Sequence, residues 1–278
     1  MLTIENKGKS EAVRLRKYII VFEKAFKSQI IYRSAALAGL ASTILSFGIQ
    51  VCLWWALLGT ELFDGTSFSD MVLFVLINTF VSTFTHANIS STIEAAMVDG
   101  SIAMELLRPM SYKYYLMATI LGKNTYNVLI RVLPVVVIGA VILGMGSDAS
   151  ISIALVVPFL IALIIGILVM FELTYIFGLL AFRIQRCWFL RWYINALTKF
   201  FGGTAVPLWF YPAFLQGMSY FLPFRYITFE PINILLGRTN GEQAAFCLLI
   251  ALAWLLVLNV LSGFMWRNAV RGLTVNGG

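Results

Sequence analysis

Charge is scarce along this chain. Of its 278 residues only 12% are Asp, Glu, Lys or Arg, against about a quarter in soluble domains. Hydrophobic residues make up 60% and mean hydropathy is +0.88, which excludes a soluble globular domain and places the chain in a bilayer. Cysteine is scarce too: Cys52, Cys187 and Cys247 stand apart, an odd number without paired metal spacing. That excludes a disulfide framework and a zinc site, leaving them as small hydrophobes. His86 is the single histidine, and no neighbouring Cys, His or carboxylate completes a metal site or relay with it. The chain has no glycine loop with the lysine that cradles nucleotide phosphates. Nor is there a dense row of intramembrane carboxylates of the kind that drives a proton pump. His86, Glu94, Asp99 and Lys123 give no nucleophile-base arrangement, which argues against an enzyme. An autonomous channel would need a filter or symmetric pore, whereas this chain offers mainly apolar spans. Composition leaves a purely structural membrane anchor open.

The net charge of +7 is distributed as in membrane proteins and forms no basic patch beside stacking aromatics, so nucleic acid is not an expected partner. Residues 1–33 hold eight Lys or Arg, and from Val13 onward these alternate with Tyr18, Ile19, Ile20, Phe22, Phe26, Ile30 and Ile31. That pattern predicts an interfacial helix, with no cleavable signal peptide. Apolar runs long enough to cross then follow at 34–58, 71–92, 115–143 and 151–182, a less regular one at 189–209, and a last at 244–265. The loop from Gly59 to Asp70 has Glu61, Asp64 and Asp70 but no base, and the turn from Gly144 to Ser150 has only Asp148. Arg183, Arg186, Arg191, Arg267 and Arg271 mark the opposite side. By the positive-inside rule the expectation is six spans over 34–271, both termini cytoplasmic, and a cytoplasmic tail at 272–278. Pro207, Pro212, Pro223 and Pro231, with Gly202, Gly203, Gly217 and Gly237, break the segment around the fifth span into short pieces. These predict re-entrant or interfacial helices that line or cap something on the outer side.

Between the second and third spans lies a polar interruption with a short helical pattern. Asp99 and Ser101 stand at its start, Gly100 and Pro109 bound it, Glu105 lies within it, and Arg108 falls in its last turn. Ile102, Met104, Leu106 and Leu107 leave both faces partly apolar, which suits a helix docking on another protein or sealing the base of the bundle. Within the spans, Arg131 and Glu172 are placed to face one another, as a salt bridge or as substrate contacts. Glu94 and Lys123 can similarly join the bases of spans two and three. Asn78, Ser82 and His86 make helix contacts or line a passage. Most aromatics read as interfacial belts and packing, while Trp209, Tyr211, Phe214 and Phe221 in the broken outer segment are candidates for an outer gate.

Several of these pieces together resemble the membrane subunit of ABC exporters of the second type. Asp99, Gly100, Leu106, Leu107, Arg108 and Pro109 are similar to a "G…LLRP" signature of that family. Tyr32 and Arg33 are similar to its Tyr-Arg pair, and Pro207, Tyr211, Pro212, Leu222, Pro223, Phe224 and Pro231 to its outer proline-rich segment. The likeness runs from about Tyr18 to Arg271, closest to permeases that occur beside a second permease and an ATPase. It implies an all-α, six-span permease bundle in a bacterial or archaeal plasma membrane, with a coupling helix at Ser101 to Arg108 docking on separate ABC ATPase subunits. ATP and Mg are then expected on the ATPase, with no cofactor held by this chain. The second permease is expected to be a related chain or another copy, packed through Gly39, Ala41, Ser42, Ser46 and Gly48. The expected cargo of such an exporter is an amphipathic or hydrophobic small molecule or peptide, entering beside Phe74, Phe80 and Phe84.

Overall fold

The computed structural model describes residues 2–58, 67–144, 152–184 and 188–271. Most of the two expected outer loops, together with Arg186, Cys187 and the tail 272–278, lies outside the described residues. Among those residues the fold is helical throughout. Helix α1 (Leu2–Ile31) stops at Tyr32, and α2 (Arg33–Leu58) follows as the first candidate crossing. The second rises from α3 (Phe68–Thr85) through a break at 86–88 into α4 (Ile89–Val98), and the short α5 (Ile102–Leu106) comes next. The third comprises α6 (Tyr112–Asn127), a π turn (Val128–Val132) and α7 (Leu133–Gly144). Helices α8 (Val156–Leu179) and α9 (Ala181–Ile184) make the return, α10 (Trp188–Phe201) follows, and α11 (Ala213–Tyr220), α12 (Phe224–Ile227) and α13 (Phe229–Leu235) form the broken segment. The long α14 (Gly241–Arg271) ends the fold.

Five of the described helices or helix pairs are long and apolar enough to cross a membrane. The expected fifth span at 189–209 is not one helix, because α10 ends at Phe201. Fourteen residues give about 21 Å, short of the ~30 Å hydrocarbon layer. The stop is built by Gly202 and Gly203. A Cβ on Gly202 would lie 2.6 Å from Thr228 Oγ1, and Gly203 takes φ +63°, letting Thr204 N–H close back on the Lys199 carbonyl at 3.3 Å. Pro207, Pro212 and Pro223 then each stand at the N-terminus of a new short helix, where their missing N–H costs nothing. Residues 223–235 are buried without interruption, so this irregular backbone is shielded by protein rather than lipid.

Two apolar cores hold the bundle. At the end carrying α5, Ile89, Ile93, Leu116, Val169, Tyr175 and Ile194 meet. At the other, Phe47, Trp54, Met71, Phe74, Val135 and Ile232 do. The break after α3 frees backbone carbonyls, and the buried Asn124 of α6 satisfies two of them, donating to Phe84 O at 2.8 Å and His86 O at 2.6 Å. Helix α1 packs along α6, with the Tyr18 and Tyr114 rings 6.0 Å apart and those of Phe26 and Tyr126 at 5.6 Å. Gly122 permits that approach: a Cβ there would overlap the Phe22 carbonyl and lie 3.0 Å from Ala25 Cβ. Gly122→Val is therefore expected to prise α1 from α6 at a cost of about 1–3 kcal/mol. Disulfide yield between cysteines placed at positions 18 and 114 should fall accordingly, and an unchanged yield would show that this contact does not hold α1.

Candidate functional site: an exposed short helix and two cavities

The segment that links the second and third crossings has two faces. Asp99 accepts the Ser101 N–H at 2.9 Å, and bonding to Ser101 holds its carboxyl below the ordinary carboxylate range. Gly100 takes φ 75° and turns the chain into α5. Ile102 is buried and Leu106 packs on the core, whereas Met104 is 70% and Leu107 78% exposed. Glu105 also turns inward, its Oε2 buried, so it is not on the free face. Arg108 and Pro109 are exposed, the Arg108 guanidinium standing 4.7 Å from the centroid of the Tyr115 ring. The loop after α5 is tied to α1 at two points. Lys17 Nζ donates to Pro109 O at 3.3 Å and Ser111 N–H donates to Tyr18 Oη at 3.2 Å.

A cavity of about 510 Å³ lies between the α3–α4 break and α10. Its lining includes Ser82, Thr85 and His86 from one side, Asn195 and Lys199 from the other, and Thr228. Two of the three expected pathway residues thus line one space. Asn78 sits just behind it, accepting from Ser82 Oγ at 3.1 Å and donating to Thr204 O at 2.9 Å. A larger cavity, about 750 Å³, opens between the broken segment and α14, lined by Trp209, Arg225, Glu230, Asn233, Arg238 and others. Inside it Arg225 pairs with Glu230 at 2.5 Å, donates to Ser219 Oγ at 2.9 Å and covers the Tyr220 ring at 3.7 Å.

The four aromatics expected at an outer gate divide. Trp209 is packed against Phe74, Phe229 and the Arg238 guanidinium, and Tyr211 donates to Phe200 O at 3.1 Å. Phe214 and Phe221, by contrast, are 74% and 81% exposed. Phe74 is buried, so of the three phenylalanines expected beside a lateral opening only Phe80 and Phe84 keep accessible surface.

Arg131 and Glu172 are not brought together. Glu172, 4% exposed, pairs with Lys113 Nζ at 2.6 Å and accepts from Asn259 Nδ2 at 3.0 Å, while Lys113 also donates to Ser262 Oγ at 3.0 Å. Arg131 stands 18 positions beyond Lys113, about 27 Å along the same helical run. Its guanidinium rests on Gly39 of α2, where any Cβ would overlap it. The expectation failed on depth: α8 ends only seven residues after Glu172, so the carboxylate meets the base of the third crossing. Gly39 is thereby used inside the chain, although it was expected at a contact with a second permease.

A family model described as ABC-2 family transporter protein matches residues 44–277. The chain belongs to that family. No curated protein sequence matches it significantly. In this ABC-2 transporter chain Lys113 and the Arg225–Glu230 pair hold buried charges that no sequence pattern singled out. The exposed side of α5 was legible, since Ile102 and Leu106 four apart define the inner face and leave Met104 on the other. The Arg225–Glu230 pair sits among prolines in short helices with no period to reveal which side chains turn inward.

Proposed function

We propose that this chain is the permease subunit of an ATP-driven exporter, supplying half of a translocation pathway and docking through α5 on a separate ABC ATPase. The observation that carries the reading is the exposed Met104–Leu107 face directly after the second crossing of an ABC-2 family chain. An apolar face on a short solvent-side helix fits a groove in a soluble partner. The path of the chain supports six traversals with both termini on the cytoplasmic side. Lys113, Glu172 and Ser262 meet at one end, while Arg238 and Asp70 approach at the other at 3.5 Å. Helices α8 and α14 therefore run the same way, and the chain must return between them. Helix α10 makes the first part of that return, and 202–211 completes it beside Trp54 and Phe74. In this reading Ser82, His86, Asn195 and Lys199 face the moving cargo, and exposed Phe214 and Phe221 form the outer gate. The second permease, a related chain or a second copy, covers the largely exposed α2. In this reading the cargo is an amphipathic or hydrophobic small molecule or peptide exported from a bacterial or archaeal cell.

Transport into vesicles holding the purified permease and ATPase tests this. An exporter requires both proteins and ATP, a channel moves solute without ATP, and an anchor moves nothing. Ser82→Trp, which fills the cavity beside His86, is expected to lower ATP-dependent transport by about tenfold, equivalent to ~1.4 kcal/mol, with ATPase co-purification unchanged. Full transport by that variant would remove the cavity from the pathway.

A further inference from the structure

A third cavity, about 640 Å³, lies between α1, the loop after α5 and α6. Its lining carries four cationic side chains, Lys17, Lys24, Arg108 and Lys123, with the hydroxyls of Ser28 and Thr119, and no Asp or Glu. The nearest carboxylate on α1, Glu23, points to Lys27 instead, at 3.7 Å. Four like charges around one concavity repel each other unless an anion or solvent ions screen them. Ammonium and guanidinium donors beside hydroxyls are the groups that bind phosphate oxygens. On the same helix Ile20, which lines the hollow, and Ile31 are exposed along one side, an apolar stripe beside a basic hollow at the entry to the first crossing. Leu15, Ile19 and Ile30 form a second stripe beyond the Glu23–Lys27 pair.

We propose that this cavity binds a phosphate group, and that its occupant is the headgroup of an anionic phospholipid whose chains lie along the Ile20 and Ile31 face of α1. A phospholipid supplies both the anion and the apolar tail; a free phosphate would leave that face uncovered. Bound there, it joins α1 to Arg108 at the end of α5, so the bilayer contributes to holding the docking helix in place. The inference rests on the orientation proposed above, but its readout is lipid binding, which is separable from transport.

The experiment is lipid retention by the purified full chain in mixed micelles of phosphatidylglycerol and phosphatidylcholine, read by native mass spectrometry. Preferential retention of phosphatidylglycerol is expected, falling about tenfold in Lys24→Gln/Lys123→Gln and unchanged in Lys27→Gln, which lies outside the cavity. Circular dichroism confirms that the variants are folded. Equal retention of both lipids, or a preference that survives the double substitution, overturns the site. Displacement of the lipid by millimolar inorganic phosphate overturns the lipid as occupant and assigns a soluble phosphate compound instead.

Discussion

Replacing Met104 and Leu107 together by Asp is expected to strip the ATPase from the purified complex. Both side chains lie open, on α5 and on the residue that ends it, and nothing among the described residues covers them. In a docked complex they would be the buried apolar anchors, each contributing about 2 kcal/mol, so losing both weakens association roughly a thousandfold. Introducing carboxylates adds the cost of burying charge. Because both positions face solvent in the isolated chain, the permease should keep its yield and helicity. Leu106→Asp is the contrasting change, since Leu106 packs on the core formed by Ile93, Ile102 and Tyr112; it should lower the amount of folded protein instead. Arg108→Ala should have a smaller effect than the double change, because its guanidinium is already engaged over Tyr115. Co-purification at wild-type stoichiometry by the Met104→Asp/Leu107→Asp variant would show that the ATPase does not dock on α5.

The parts of this fold that were legible in the sequence are those set by composition. Uninterrupted apolar runs of about twenty or more residues satisfy their backbone in lipid as helices, and the first, third, fourth and last long helices begin and end within a few residues of the runs, the last extending to Arg271. Proline and glycine in the segment 202–237 likewise announced short helices. What stayed hidden depends on contacts between distant parts of the chain. The break at His86 is sustained by Asn124, 38 positions away, and no residue at 86–88 is a strong helix breaker by itself. The early end of α10 needs Thr228 against Gly202. At the candidate site, sequence placed Leu106 and Leu107 together as docking residues, whereas the end of α5 turns Leu106 inward and leaves Leu107 exposed. His86 and Ser82 do share a cavity, but half its lining comes from α10, whose direction relative to α3 no local pattern records.

Glu172→Gln is expected to destabilise the folded permease by about 3–5 kcal/mol. The loss comes less from the missing bond than from Lys113, whose ammonium would stay in a mostly buried position with the Ser262 hydroxyl and the Tyr175 ring in place of a counter-ion. The network joins α6, α8 and α14, so its failure loosens three helices at once. Replacing both charges, as Glu172→Leu with Lys113→Met, should recover much of the stability, because neither charge then has to be desolvated. A double-mutant cycle decides which partner matters. Glu172 and Lys113 should show a coupling of at least ~1 kcal/mol in denaturant unfolding of the detergent-purified protein. Glu172 and Arg131, far apart along the helix run, should be additive within about 0.5 kcal/mol. Arg131→Gln on its own should act through α2, since its guanidinium fills the space left open by Gly39. A strong coupling between Arg131 and Glu172, with Lys113 indifferent, would instead restore the pairing that the sequence alone suggested.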